Sequence, residues 1–244
     1  MNPGVPRRGL VKLFWSFLFS LILSSNLFAQ QPETWGEFWS EADAYFQLDQ
    51  TKRLNFQGGT RSAGESSYLQ WYTGTQLNLQ LKPVIKEHLP HYDRDKESYF
   101  VFGVGYQYWR TTQDDKSPSN ENRGLIEITP RYYPGAQLLL TDRNLIEFRF
   151  INGEYSTRYR NRLTLERAFQ IHHFRFDPYG WGELYYDTRY DGWIQNQYSF
   201  GVQFQFGRRW MLDSYYLHQN TSQSTPNHLN VAGLTLNYFF QKPK

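Results

Sequence analysis

The chain has 244 residues, with 26 Lys and Arg, 23 Asp and Glu, and no cysteine. Its length suits one large β domain or two small ones, and nothing in it marks a linker; the lack of cysteine excludes a disulfide framework, a lipoprotein anchor and a cysteine zinc site. Aromatic residues make up 19% while mean hydropathy is only −0.71, and no soluble-type amphipathic helix can be found, which fits strands that are half apolar and half polar.

Arg7, Arg8 and Lys12 precede an uncharged run, Leu13 to Phe28, that ends at Ala29. These are the charged, apolar and small-residue parts of a secretory signal. Leu27, three residues before the cleavage point, is larger than usual, and an uncleaved anchor is the alternative, since the run is just short of a spanning helix. The expected division is a signal peptide at 1–29 and one β domain at 30–244. Removing the leader takes away three positive charges and no negative ones. The formally neutral remainder gives no reason to expect nucleic acid as a partner, despite the basic pI of the whole chain.

From Trp35 the sequence falls into alternating segments. Phe38, Ala42, Ala44, Phe46 and Leu48 oppose Glu37, Glu41, Asp43 and Gln47, with Arg53 to Gln57 as a short return strand and Gly58 to Ser66 as a polar, glycine-containing loop. Leu69 to Leu81 alternates most clearly, and Pro83 ends it. Val84 to Glu97 reads as charged loop. The next strand carries Phe100, Phe102, Val104, Tyr106 and Tyr108 on one face and Gly103, Gly105 and Gln107 on the other. Thr111 to Asn122 has the composition of an exposed loop. Leu125 to Tyr133 and Gln137 to Ile151 are strands joined through Pro134-Gly135.

Asn152-Gly153 then separates two alternating runs, the strongest short-range hairpin signal, because both residues tolerate the positive φ of a type I′ turn. A two-residue loop fixes the register: Ile151 faces Glu154, Glu147 faces Arg158, and Ile146 faces Tyr159. One face then carries Glu147, Arg149, Arg158, Arg160, Arg162 and Glu166. The other carries Ile146, Phe148, Phe150, Tyr155, Tyr159, Leu163 and Leu165. Phe174 to Thr188 follows, with Trp181, Glu183, Tyr185 and Asp187 on one face, then Trp193 to Phe206, a turn at Gly207-Arg208, and Trp210 to His218. Asn220 to Asn227 is polar loop, and Leu229 to Phe240 is the last strand.

Eleven segments can be counted, most of about nine to fifteen residues, the length a tilted strand needs to cross a bilayer. Single-chain bacterial barrels have even strand numbers, so the expectation is an antiparallel up-and-down transmembrane β-barrel of 10–12 strands, with twelve favoured. A soluble barrel of that size would have to fill a wide interior with apolar side chains. An inverted one needs only a polar lumen, and its aromatic residues belong near strand ends, where Trp71, Tyr106, Tyr108, Tyr132, Tyr198, Trp210 and Tyr238 fall. A secreted β-sandwich is the alternative.

Thr141 to Phe150, Tyr159-Arg160-Asn161-Arg162-Leu163, Pro178-Tyr179 with Glu183-Leu184-Tyr185-Tyr186-Asp187, and Tyr215-Tyr216 with Gln219-Asn220 are similar to the uncharacterised barrel family catalogued as domain of unknown function 2490. The resemblance spans about residues 37 to 240. It implies an outer-membrane barrel of Gram-negative bacteria and no activity; the partners expected for such a barrel are outer-membrane lipid and the barrel-assembly machinery.

Arg158, Arg160 and Arg162, at period two, place three guanidinium groups on one face about 7 Å apart. With the following turn centred near Ile171, Arg160 comes about level with Glu183. One reading is an ion-paired lumen in a structural barrel or narrow channel, with Glu127, Glu147, Glu166, Glu183 and Asp187 largely balancing the ladder and Arg149 on the same face, because buried charges must be paired. The other is an anion-selective porin that takes a small anionic solute. A third is a lipid-modifying enzyme with His218 and Ser222 at the rim, since activation needs such a pair within hydrogen-bond reach. His88, His91, Asp93 and Asp95 imitate a metal site but read as a solvated loop. Gly103-Val104-Gly105 lacks the third glycine and the helix of a phosphate loop and reads as small residues on a crowded inner face. The expectation is a monomer without catalytic centre, metal or cofactor.

Overall fold

The computed structural model describes residues 34–63, 68–84, 94–114, 116–172, 174–207, 209–223 and 226–240. The expected signal segment, residues 1–29, lies outside them, as do His88, His91, Asp93 and His173. Twelve strands are formed: β1 Thr34–Gln47, β2 Lys52–Ala63, β3 Leu69–Val84, β4 Ser98–Gln113, β5 Lys116–Gly135, β6 Leu138–Ile151, β7 Glu154–Arg167, β8 Phe169–Ile171, β9 Phe174–Asp187, β10 Gly192–Phe206, β11 Trp210–Thr221 and β12 His228–Phe239. A 3₁₀ turn, Arg94–Glu97, precedes β4. Each strand pairs with the next except that β7 and β8 both pair with β9, and β12 returns to β1, so the sheet closes into a barrel.

β8 is a continuation of β7. Glu166 faces Tyr179, and Phe169 faces Phe176 in the same register; between them Arg167 lies opposite Pro178, which has no N–H to give to the ladder. Eleven strands therefore make the ring, in agreement with the eleven alternating segments of the sequence. The even-number rule does not hold here. After an odd number of antiparallel strands the first and last point the same way, and Thr34 pairs with His228 through to Tyr45 with Phe239 in parallel. That joint has the slanted, slightly weaker bonding of a parallel pair.

The faces are inverted relative to a soluble barrel. Phe38, Phe56, Ile146, Phe150, Tyr155, Leu163 and Phe200 are exposed, while Glu147, Arg149, Glu183 and Asp187 are buried. Of the strand-end rings singled out by sequence, Trp71, Tyr106, Tyr132, Tyr198 and Trp210 are exposed as well. The inner wall is itself divided. Charged and amide side chains dominate over β5 to β10, while Trp39, Leu217, Leu229 and Val231 pack together on the side of β11, β12 and β1, joined by Trp35, Trp181 and Tyr215.

The central hairpin has the expected turn, with φ of 51° at Asn152 and 92° at Gly153. Elsewhere the loops are shorter than the sequence suggests. β2 runs through Gly58 and Gly59 to Ala63. Gly59 is needed there because a Cβ would come to 2.8 Å from both the Ser40 carbonyl and the Tyr72 ring, so glycine marks a close approach in a strand. Thr111 to Gln113 and Lys116 to Asn122 are also strand. In an inverted barrel a run of polar residues can face the lumen or the membrane rim, and polarity stops distinguishing loop from strand. The β5–β6 turn is made by Ala136 and Gln137, at φ 54° and 60°, one step beyond Pro134-Gly135. Between β1 and β2 the Asp49 carboxylate accepts from the Thr51 and Lys52 amides. The Thr51 contacts, backbone first, hold its pKa down to about 2.

Candidate functional site

The arginine ladder lies on β7, and its carboxylate partners are supplied by the two neighbouring strands. Glu147 on β6 is the direct cross-strand neighbour of Arg158, whose Nε donates to it; Ile146 stays outside. Because β8 extends the hairpin, its turn centres on 172–173, and Glu183 faces Arg162 while Tyr185 faces Arg160. Arg160 nevertheless reaches Glu183 diagonally. Its Nε and Nη2 donate to the two carboxylate oxygens at 3.0 and 2.9 Å, and its Nη1 donates to Glu147 at 3.0 Å. All three of its nitrogens are thus engaged, and it joins the two carboxylates. Arg162 completes Glu183 at 2.8 Å, and Tyr185 donates its hydroxyl at the same distance.

The network continues beyond the ladder to Glu127, which the sequence set against it, and through residues that the sequence reading placed in a loop or did not single out. Glu121 on β5 accepts from Arg123 at 2.6 Å and from Arg149 on β6, and Arg149 also holds Asp187 at 2.7 Å. Arg143 pairs with Glu127 at 2.9 Å. The signal for Glu121 and Arg123 was present as a period-two pair continuing the alternation of Leu125 to Tyr133. A second chain of contacts extends it across the barrel: the Arg123 guanidinium lies 4.1 Å from the Trp109 ring centroid, Arg61 4.7 Å from Trp109, and Arg61 3.7 Å from Trp39. Such stacking suits guanidinium, which is weakly hydrated and planar.

Of the expected set, Glu147, Arg149, Arg158, Arg160, Arg162, Glu183 and Asp187 share this network. Glu166 does not. It accepts from Lys96, in the 3₁₀ turn before β4, at 2.7 Å, and Lys96 also reaches Gln203 on β10 at 2.8 Å. Lys96 therefore bridges the mouth from the start of β4 to β7 and β10. Nearby, Asp213 accepts from Tyr179 and Gln203.

Glu147, Glu183 and Asp187 point into the lumen, yet each is 1% exposed. An open water-filled pore would leave them wet. Instead guanidinium groups, rings and amides fill the space around them. Gly103 and Gly105 belong to this crowding, as expected from sequence, since a Cβ at Gly103 would stand 2.5 Å from Gln76 Nε2.

His218 and Ser222 are not brought together. His218 Nδ1 meets Asn230 Oδ1 at 2.8 Å and Nε2 meets Asn220 Oδ1 at 3.0 Å, whereas Ser222 Oγ donates to the Ile194 carbonyl. Among the described residues no group of three or more His, Asp or Glu is arranged to hold a metal ion.

The model of a family described as "Protein of unknown function (DUF2490)" matches residues 36–230. No curated protein matches the chain. Among solved structures, LpxR from Salmonella typhimurium is similar with a TM-score of 0.48 and 8% identity, over 77% of this chain and 83% of that one.

Proposed function

Taking as premise that the chain belongs to the family described as "Protein of unknown function (DUF2490)", we propose that it is an outer-membrane β-barrel whose lumen is shut by its own ion pairs, a structural barrel rather than a conduit. The apolar, aromatic exterior supports the membrane, since a closed sheet is the only β arrangement that satisfies its backbone in lipid. The leader-like sequence before Gln30 supports export. One observation carries the closed lumen: Glu147, Glu183 and Asp187 are buried at 1% exposure although they project inward.

A second reading has one observation in its favour. Six guanidinium groups, at Arg123, Arg143, Arg149, Arg158, Arg160 and Arg162, share five carboxylates, at Glu121, Glu127, Glu147, Glu183 and Asp187. Arg143 and Arg162 are the most exposed of them, at 26% of their side chains. A small anion drawn to that surplus would make the barrel an anion pathway.

Conductance of the refolded 30–244 chain in a planar bilayer, with anion and cation varied separately, decides between the two. Folded barrels without openings are expected. Anion-selective openings that vanish in Arg162→Gln would establish the second reading instead.

A further inference from the structure

The outer face carries one feature at odds with its surroundings. Asp142 and Asn144, in the middle of β6, and Asn161 on β7 point the same way as Ile146 and Leu163, outward. Asn161 Nδ2 donates to Asp142 Oδ1 at 2.7 Å and to Asn144 Oδ1 at 3.1 Å, and the Tyr159 hydroxyl donates to Asn144 Oδ1 at 2.6 Å. Apolar side chains surround this cluster. Ile128 pairs with Asn144, Leu163 with Asp142, and Leu184 with Asn161; all three are exposed. Aromatic groups bracket it along the wall, with Phe150 and Tyr155 in contact towards one end and Phe169 and Phe174 towards the other. The cluster thus sits between the two girdles, at hydrocarbon depth, where polar groups are costly and mark a function or a contact.

Other outward polar groups differ: the Ser40 and Thr60 hydroxyls pair with each other, Asn120 and Asn122 accept from Tyr108 and Tyr106 at the level of the β6–β7 turn, and Arg167 lies over Phe169 at the far end of β7. His218, Asn220, His228 and Asn230 lie at the strand ends beside the 222–227 loop, where an interfacial belt accounts for them.

Resting on the membrane reading above, we infer that the β6–β7 wall is the contact surface of a homodimer, with the Asp142, Asn144 and Asn161 cluster of one copy meeting that of a second. Two barrels inserted in the same orientation and related by a two-fold axis along the bilayer normal present the same wall at the same depth. The polar patch then faces its own image and leaves lipid. Its chemistry is self-complementary. Among the described residues, neither the second Asp142 oxygen nor the Asn144 Nδ2 has a hydrogen-bond partner, and across the axis the amide of each copy can donate to the carboxylate of the other. This departs from the monomer expected from sequence.

The test uses the natural lack of cysteine. The 30–244 chain carrying Leu163→Cys, at the edge of the patch, is refolded into phosphatidylcholine vesicles and oxidised, beside Leu234→Cys on the far wall. Cross-linked dimer is expected for Leu163→Cys and not for Leu234→Cys. Cross-linking should fall when Asp142→Leu, Asn144→Leu and Asn161→Leu are added, and return with Asp142→Asn alone. Each cross-interface hydrogen bond lost is expected to weaken association by about three- to twenty-fold. The same vesicles are assayed for the heat-dependent gel shift of a folded barrel and for protection from external protease. A protected, folded barrel that cross-links at neither or equally at both sites overturns the dimer and leaves the membrane reading standing. Failure to insert overturns both.

Discussion

Arg160 is the side chain on which the inner network turns, because it alone donates to both Glu147 and Glu183. Removing one partner of a buried ion pair costs about 3–5 kcal/mol, since the remaining charge is left in a poor solvent. Here Glu147 keeps Arg158, and Glu183 keeps Arg162, so Arg160→Met should fall near the low end, about 3 kcal/mol in a urea unfolding equilibrium in lipid vesicles. Adding Glu183→Gln should cost less than the sum of the single changes, because the two residues share one interaction. Full additivity would mean that the contact contributes little. Glu147 and Arg158 were legible in the sequence because one Asn-Gly turn fixes their register. The Arg160 link to Glu183 was legible only approximately, because it depends on where the next turn falls.

At the scale of elements, Pro178 determines that β7 and β8 are two segments. It sits opposite Arg167 with no N–H, while on the other side Ala168 still donates to the Gln137 carbonyl at 3.0 Å. Pro178→Ala supplies the missing donor to Arg167. The expected result is slower amide exchange at residues 169 to 171, measured by mass spectrometry; unchanged exchange there would mean that the break has another cause. The interruption was not visible in the alternation, because Leu165 and Phe169 keep the same outward phase on either side of Arg167. A missing N–H leaves side-chain periodicity intact and shows only when the partner strand is known.

For the whole molecule, two layers of side chains cross the lumen: the arginine network, and the bridge from Lys96 to Glu166 and Gln203 at one mouth. Lys96→Ala removes only the bridge. Its bilayer current is expected to stay at baseline, because the guanidinium groups still fill the barrel. Openings from Lys96→Ala alone would put the gate at the mouth. The bridge joins residues 70 and 107 positions apart, and no local pattern announces a contact of that range.

The sequence by itself determined the fold class, the inverted faces and the central register. Period-two alternation and one Asn-Gly turn are local properties of the chain, and a polar face too wide for a soluble interior leaves only the lumen to hold it. The tertiary structure decided the rest. The parallel closing joint follows from the parity of the ring, which is a property of all eleven strands together. The filling of the lumen depends on which side chains meet across it: Trp39 and Arg61 are cross-strand neighbours, but Arg61 reaches Trp109 two strands away only because the curved sheet turns β2 and β4 towards a common axis. The Asp142 patch likewise reads as ordinary polar alternation in the sequence, and becomes an anomaly only when its apolar neighbours on β5 and β9 are in place.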